Sequence, residues 1–158
     1  MTAQETVAAD LEAAAAEVAS FIRECPEEIW TARSPHDGRS VASLAYHCAA
    51  GNDIATGWIC QVLVSRPILE TADSHNAHND AEAQRSTGVT KDEVSEMLER
   101  TTARAAHFLR SLTDEELERH APFGISGRDL TVGRFVPNFA RHMRDHLEEM
   151  RQASNLSR

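Results

Sequence analysis

Apolar residues in the first two dozen positions recur at three- and four-residue spacing: Val7, Leu11, Ala14, Val18, Phe21 and Ile22. That period puts them on one face of an α-helix. Thr2-Ala3-Gln4-Glu5 has the form of a capping box and Pro26 stops the run, so the pattern predicts a helix over 3–24. A second helix is expected over 40–64, capped by Ser40, carrying Val41, Leu44, Ile54, Trp58, Ile59, Val62 and Leu63, and ended by Arg66-Pro67. Thr90-Lys91-Asp92-Glu93 caps a third over 90–112, with Val94, Met97, Leu98, Thr101, Ala105, Phe108, Leu109 and Leu112 on its apolar face. The fourth, over 131–152, carries Val132, Phe135, Phe139, His142, His146 and Met150 in one row. Pro137 lies inside it and has no N–H for the carbonyl of Gly133, so a bend is expected there.

The remaining stretches read as connections. Ser34-Pro35 and Asp37-Gly38 are turn signals within 31–39. Residues 67–89 are polar and read as irregular, with at most a short helix after Ser74. Thr113-Asp114-Glu115-Glu116 can cap one further turn, and a loop with Pro122, Gly124 and Gly127 follows. No strand pattern and no internal repeat is evident. Four amphipathic helices with short connections predict an all-α four-helix bundle, a single domain over 1–158.

Composition narrows the function classes. With 16 basic and 25 acidic residues the net charge is −9, which argues against nucleic acid or an anionic membrane as a partner. No apolar run approaches a membrane span, and Met1-Thr2-Ala3-Gln4-Glu5 lacks the basic start of a signal peptide, so a cytoplasmic location is the expectation. Cys25, Cys48 and Cys60 are an odd number at irregular spacing, which fits reduced thiols better than a disulfide framework. Cys25 and Cys60 read as structural.

The chemistry concentrates in histidine. His142 and His146 are four apart on the fourth helix and so lie one above the other. They occupy the row where core residues belong, and two buried imidazoles without partners are costly. Such a pair can close on one metal ion. Two ligands hold a metal poorly, and His47 has the phase to supply a third. It shares a stripe with Ser40, Leu44, Gly51, Ile54 and Trp58, and Gly51 leaves volume beside it one turn on. His47, His142 and His146 would leave open positions on the ion, the layout of a catalytic site. Zinc is the first expectation, with nickel or iron also suited to imidazole. His75 and His78 lie in the polar segment, while His36, His107 and His120 read as surface residues. Cys48 follows His47 and so points about 100° away around the helix, as a small buried residue. Asn138 and Glu149 could orient an imidazole, though Glu149 reads more simply as a solvated carboxylate at a charged helix end. Arg141 and Arg144 read as exposed.

Trp30, Ser34-Pro35, Gly38-Arg39-Ser40-Val41 and Leu44-Ala45-Tyr46-His47, followed late by His142-x-x-x-His146, resemble the motif regions of the DinB-like (YfiT-like) metal-binding bundle superfamily. The resemblance spans nearly the whole chain. It implies a four-helix bundle with a divalent metal on three histidines, here His47, His142 and His146, and often a homodimer. It also implies thiol-dependent transferase or isomerase chemistry, as in the bundle domain of mycothiol-dependent maleylpyruvate isomerase. The second domain of that enzyme has no counterpart in this sequence. The small residues Ala8, Ala9, Ala13 and Ala16 around the first helix fit a homodimer contact, though helix propensity also favours alanine there.

Three functions follow. The first is a metal-dependent enzyme that activates a low-molecular-weight thiol toward a small-molecule substrate. The second is metal-assisted hydrolysis with Glu149 as a possible base. The third is a non-catalytic metal-binding, dimerisation or sensing bundle, in which His75 or His78 closes the coordination sphere.

Overall fold

The computed structural model describes residues 1–156. In chain order its elements are α1 (Ala3–Glu24), α2 (Glu27–Trp30), α3 (Val41–Leu63), α4 (Ala72–Arg85), α5 (Lys91–Ser111), α6 (Asp114–Leu117), β1 (His120–Phe123), β2 (Arg128–Thr131), α7 (Val132–Phe135) and α8 (Asn138–Leu156). Side-chain caps set where three of the long helices begin. Thr2 accepts from the Glu5 amide at 3.1 Å, Ser40 from Ser43 at 3.1 Å, and Thr90 from Glu93 at 3.2 Å. At Thr90 the Glu93 carboxylate returns the bond to the cap amide at 2.8 Å, completing a capping box. Each such cap stabilises its helix by about 1 kcal/mol.

The bundle is formed by α1, α3, α5 and α8. Helix α1 packs on α5 and α8, and α3 packs on the same two, so α1 and α3 sit on a diagonal. Between them lies the apolar core, with Leu11, Val18 and Ile22 from α1, Leu44 and Ile59 from α3, Leu98 and Leu109 from α5, and Met143, Leu147 and Met150 from α8. These are the positions at helical spacing that the sequence marks as one-sided. Among the described residues no helix is long and apolar enough to cross a membrane.

Four features depart from the sequence reading. The segment read as irregular contains α4, 14 residues long. Its inward positions are polar, with Glu82 and Ser86 buried and His75 and Asn79 half-buried, so no apolar stripe reveals it. A two-stranded antiparallel hairpin stands where no strand was expected, pairing His120 with Thr131 and Phe123 with Arg128. Pro137 interrupts the fourth helix instead of bending it: α7 ends at Phe135 and α8 begins at Asn138. Cys60 is exposed, not structural, whereas Cys25 and Cys48 are buried. On α1, Ala8 is buried in the core, which leaves Ala9, Ala13 and Ala16 facing outward.

The hairpin and the α3–α4 connection are stitched together. Ile68 N donates to Pro122 O at 2.9 Å, and Gly124 N donates to Ile68 O at 2.9 Å. A Cβ on Gly124 would stand 2.4 Å from the Glu70 carbonyl oxygen, so only glycine permits this approach. The stitch fixes Glu70 and Phe123 beside Trp58 in the C-terminal part of α3.

Candidate metal centre

Helix α3 carries His47 inward, and α8 carries His142 and His146 one turn apart toward it. One ring nitrogen from each of the three lies within 4.8 Å of the others. Nε2 of His142 and Nε2 of His47 are 3.1 Å apart, a separation that two nitrogens sustain through a shared proton or a common cation. The His142 and His146 rings are 4.6 Å apart between centroids and nearly perpendicular, at 86°. All three histidines named from sequence phase are thus brought together.

Carboxylates hold the outer nitrogens of two rings. His47 Nδ1 donates to Glu82 Oε1 at 2.6 Å, and His146 Nδ1 contacts Glu149 Oε2 at 3.3 Å. A carboxylate on Nδ1 fixes the tautomer and aims the Nε2 lone pair inward. Glu82 is only 5% exposed. Burial pushes its carboxyl up, but the hydrogen bond and charge of His47, with His78 and Arg39 beyond, outweigh that and hold it below the usual carboxylate range. Burial raises Glu149 above that range despite nearby Arg39, whose Nη2 lies 3.9 Å away. Glu149 is therefore half-buried against His146 and Arg39 and not the solvated helix-end carboxylate expected. The motif Gly38-Arg39-Ser40 gains a physical meaning here: Gly38 takes φ +77°, Arg39 reaches Glu149, and Ser40 caps the helix that bears His47.

Burial first, then the neighbouring histidines and Arg39, push the His142 and His146 imidazoles down from 6.5 to about 3. Neutral imidazole is the form that ligates a metal. A donor set of three nitrogens, two of them held unprotonated at neutral pH, fits a divalent ion that prefers nitrogen, such as zinc. Cys48 is no competitor, since burial pushes its thiol up to about 12.

Both shifts carry a stability consequence. Between pH 6.5 and about 3 the unfolded chain binds protons that the folded His142 and His146 refuse. The metal-free protein should therefore lose stability as pH falls below 6.5, with no contribution from these groups above it. Urea midpoints at pH 7 and pH 5 will show the loss, and a His142→Ala/His146→Ala double variant will show a flatter dependence. Removing the buried carboxylate acts differently. Glu82→Gln should weaken metal affinity by about 10–100-fold, the usual cost of losing the partner of a ligating imidazole. Competition with a chromophoric chelator measures it.

The other sequence candidates fall into place around the triad. His75 lies on α4 with its Nδ1 3.2 Å from Glu70 Oε1. His78 is exposed, its Nε2 4.0 Å from Glu82 Oε2. Neither joins the cluster. Arg141 is exposed, whereas Arg144 is half-buried and pairs with Asp10 and Glu17 on α1. Sequence reading missed Glu82 and the role of Arg39. The usable signal was His75, Asn79, Glu82 and Ser86, which share one face of a helix at 3–4 spacing.

A cavity of about 320 Å³ borders two members of the triad, His47 and His142. His47 and His142 form one end, and Trp58, Phe123, Phe135 and Phe139 make aromatic walls. Asn52, Asn138, Arg141, Asp145 and His75 are its other polar lining groups. Trp58 and Phe123 pack with centroids 5.1 Å apart, and Phe135 and Phe139 with centroids 6.3 Å apart.

A family model described as the DinB superfamily matches residues 10–150. The chain belongs to the DinB superfamily. Its fold is also similar to that of YfiT from Bacillus subtilis, with TM-score 0.82 and 16% identity, over 96% of this chain and 86% of that one. YfiT is described as a probable metal-dependent hydrolase with an unusual four-helix bundle topology. At that identity the likeness carries the fold alone. No curated protein matches the sequence. For this DinB-superfamily chain, a bundle with a histidine cluster able to hold a metal is thus reached both from the sequence motifs and from the three-dimensional arrangement.

Proposed function

We propose that this protein is a metal-dependent enzyme, with one divalent ion on His47, His142 and His146, that activates a low-molecular-weight thiol for transfer to, or isomerisation of, a small electrophile. The observation that carries the reading is a histidine cluster two of whose members, His47 and His142, line an aromatic-walled cavity of about 320 Å³. Both carboxylates nearest the triad are engaged at outer ring nitrogens. When bound between three neutral imidazoles, the ion keeps its full charge and supplies the Lewis acidity that lowers the proton affinity of a thiol or water. The protein's own contribution is orientation and dryness. Glu82 and Glu149 aim the imidazoles, while Trp58, Phe123, Phe135 and Phe139 exclude water and offer flat faces to a conjugated substrate.

Hydrolysis is the second reading, supported by the description of YfiT. In that case Asp145, which lines the cavity, is the better placed base, because Glu149 is engaged by His146 and Arg39. A purely structural metal site would need a fourth protein ligand, and both histidines considered for it stand outside the cluster. A homodimer remains part of the proposal through the outward Ala9, Ala13 and Ala16 face of α1, to be checked by sedimentation at micromolar concentration.

The deciding experiment titrates cobalt-loaded protein with mycothiol, bacillithiol and glutathione. A sulfur-to-metal charge-transfer band with one of them is expected. If none produces a band and no thiol-dependent turnover is found, the thiol reading is wrong. Ester or amide cleavage that disappears in Asp145→Asn would then select hydrolysis.

A further inference from the structure

We propose that His75 is the proton acceptor of the reaction, with Glu70 and Trp58 as the residues that position it. The proposal rests on the thiol-activating reading above and adds to it the group that moves the proton. Glu70 sits in the connection between α3 and α4, where Gly124 closes on its carbonyl. Its carboxylate accepts from Trp58 Nε1 at 3.1 Å through Oε2, and its Oε1 lies 3.2 Å from His75 Nδ1. The indole thus holds the carboxylate, and the carboxylate holds the imidazole. With Nδ1 donating to the Glu70 carboxylate, the lone pair of His75 is on Nε2. A base whose outer nitrogen is oriented by a carboxylate is the arrangement that general-base catalysis requires.

Placement gives the arrangement a use. His75 lines the same cavity as His47 and His142. The Trp58 ring, which also lines the cavity, lies 5.5 Å from the His75 ring between centroids. The other charged groups lining this cavity are Arg141 and Asp145. Among the described residues Nε2 of His75 has no hydrogen-bond partner, while its Nδ1 is taken. A structural histidine on a polar helix would need neither a clamped carboxylate nor a place in the cavity.

The step balances without any further reactant. The thiol proton leaves sulfur for Nε2 of His75. Sulfur then bonds to the electrophilic carbon as that carbon's bond to its leaving atom, or its π bond, breaks. The atom that keeps the electron pair takes the proton back from Nε2.

The test uses the full chain loaded with cobalt and 2-mercaptoethanol as the probe, a thiol small enough to enter the cavity. Wild type, His75→Gln and Glu70→Gln should hold equal cobalt and develop the same charge-transfer band, because neither residue is a ligand. Calorimetry at pH 7 in two buffers of different ionisation enthalpy then counts the protons released on binding. Wild type is expected to release fewer than His75→Gln, by a difference approaching one proton per thiol. Glu70→Gln, which keeps the imidazole but loosens it, should lie between. Equal release by wild type and His75→Gln would overturn the role of His75 while leaving thiol binding intact. Absence of the band in wild type would instead remove thiol activation itself, and His75 as its base with it.

Discussion

His142→Ala is expected to strip the protein of its metal and leave the bundle folded. The His142 ring contacts both partners, with its Nε2 3.1 Å from His47 Nε2 and its centroid 4.6 Å from that of His146. Removing it leaves two donors, one on each of two helices, and no protein group in the cluster replaces it. The loss should exceed the roughly 10–100-fold expected when only an orienting partner is removed. Stability should respond in the opposite sense. The fall of the imidazole to about 3 reports that burial opposes its charge, and the apolar core is built from Met143, Leu147 and Met150 on the adjoining face. The metal-free variant should therefore lose less stability between pH 7 and pH 5 than metal-free wild type does. Elemental analysis of tag-free protein, with a helical circular dichroism spectrum as control, measures both. A triple alanine variant at His47, His142 and His146 that retained one ion per chain would refute the site.

Gly51→Ala is expected to damage the metal centre while leaving the fold intact or more stable. Gly51 lies one turn beyond His47 on α3, and the volume it leaves is filled by the His142 ring. A Cβ there would stand 2.9 Å from Cε1 and 3.3 Å from Nδ1 of His142. Such a contact cannot persist, and the ring is the part free to swing away. In a helix interior, alanine for glycine favours the fold by about 1 kcal/mol. The melting temperature of the metal-free protein should therefore hold or rise while metal affinity falls. Gly57→Ala on the same helix is the control, because nothing lies within 4 Å of the Cβ it would add. It should gain the same helix stability and bind metal as wild type does. Unchanged affinity in Gly51→Ala would show that His142 need not occupy this niche.

Much of this molecule is written in apolar period. Three of the four predicted helices match the observed α1, α3 and α5 to within a residue or so at each end. The reason is local: a capping hydroxyl marks each start, and a one-sided apolar row runs behind it. The same period marked His47, His142 and His146 as inward-facing, because each sits in core phase on its own helix.

What the period could not show depends on neighbours distant in sequence. Helix α4 faces the polar site, so its inward residues are His75, Asn79 and Glu82, and a reading that looks for apolar stripes passes over it. The strands His120–Phe123 and Arg128–Thr131 are too short to display alternation, and their pairing is stabilised by the Ile68 segment about fifty residues earlier. Pro137 announces a disturbance, but whether a helix bends or breaks depends on the packing around it, here a break between Phe135 and Asn138. The sequence by itself thus determined the bundle and the three imidazoles, since both follow from side-chain phase along individual helices. Only the tertiary structure decided that Glu82 and Glu149 hold the rings, that Gly51 makes room for His142, and that Glu70 bridges Trp58 and His75 at the cavity. Those relations join residues on different elements, and no local period records a contact between separate helices.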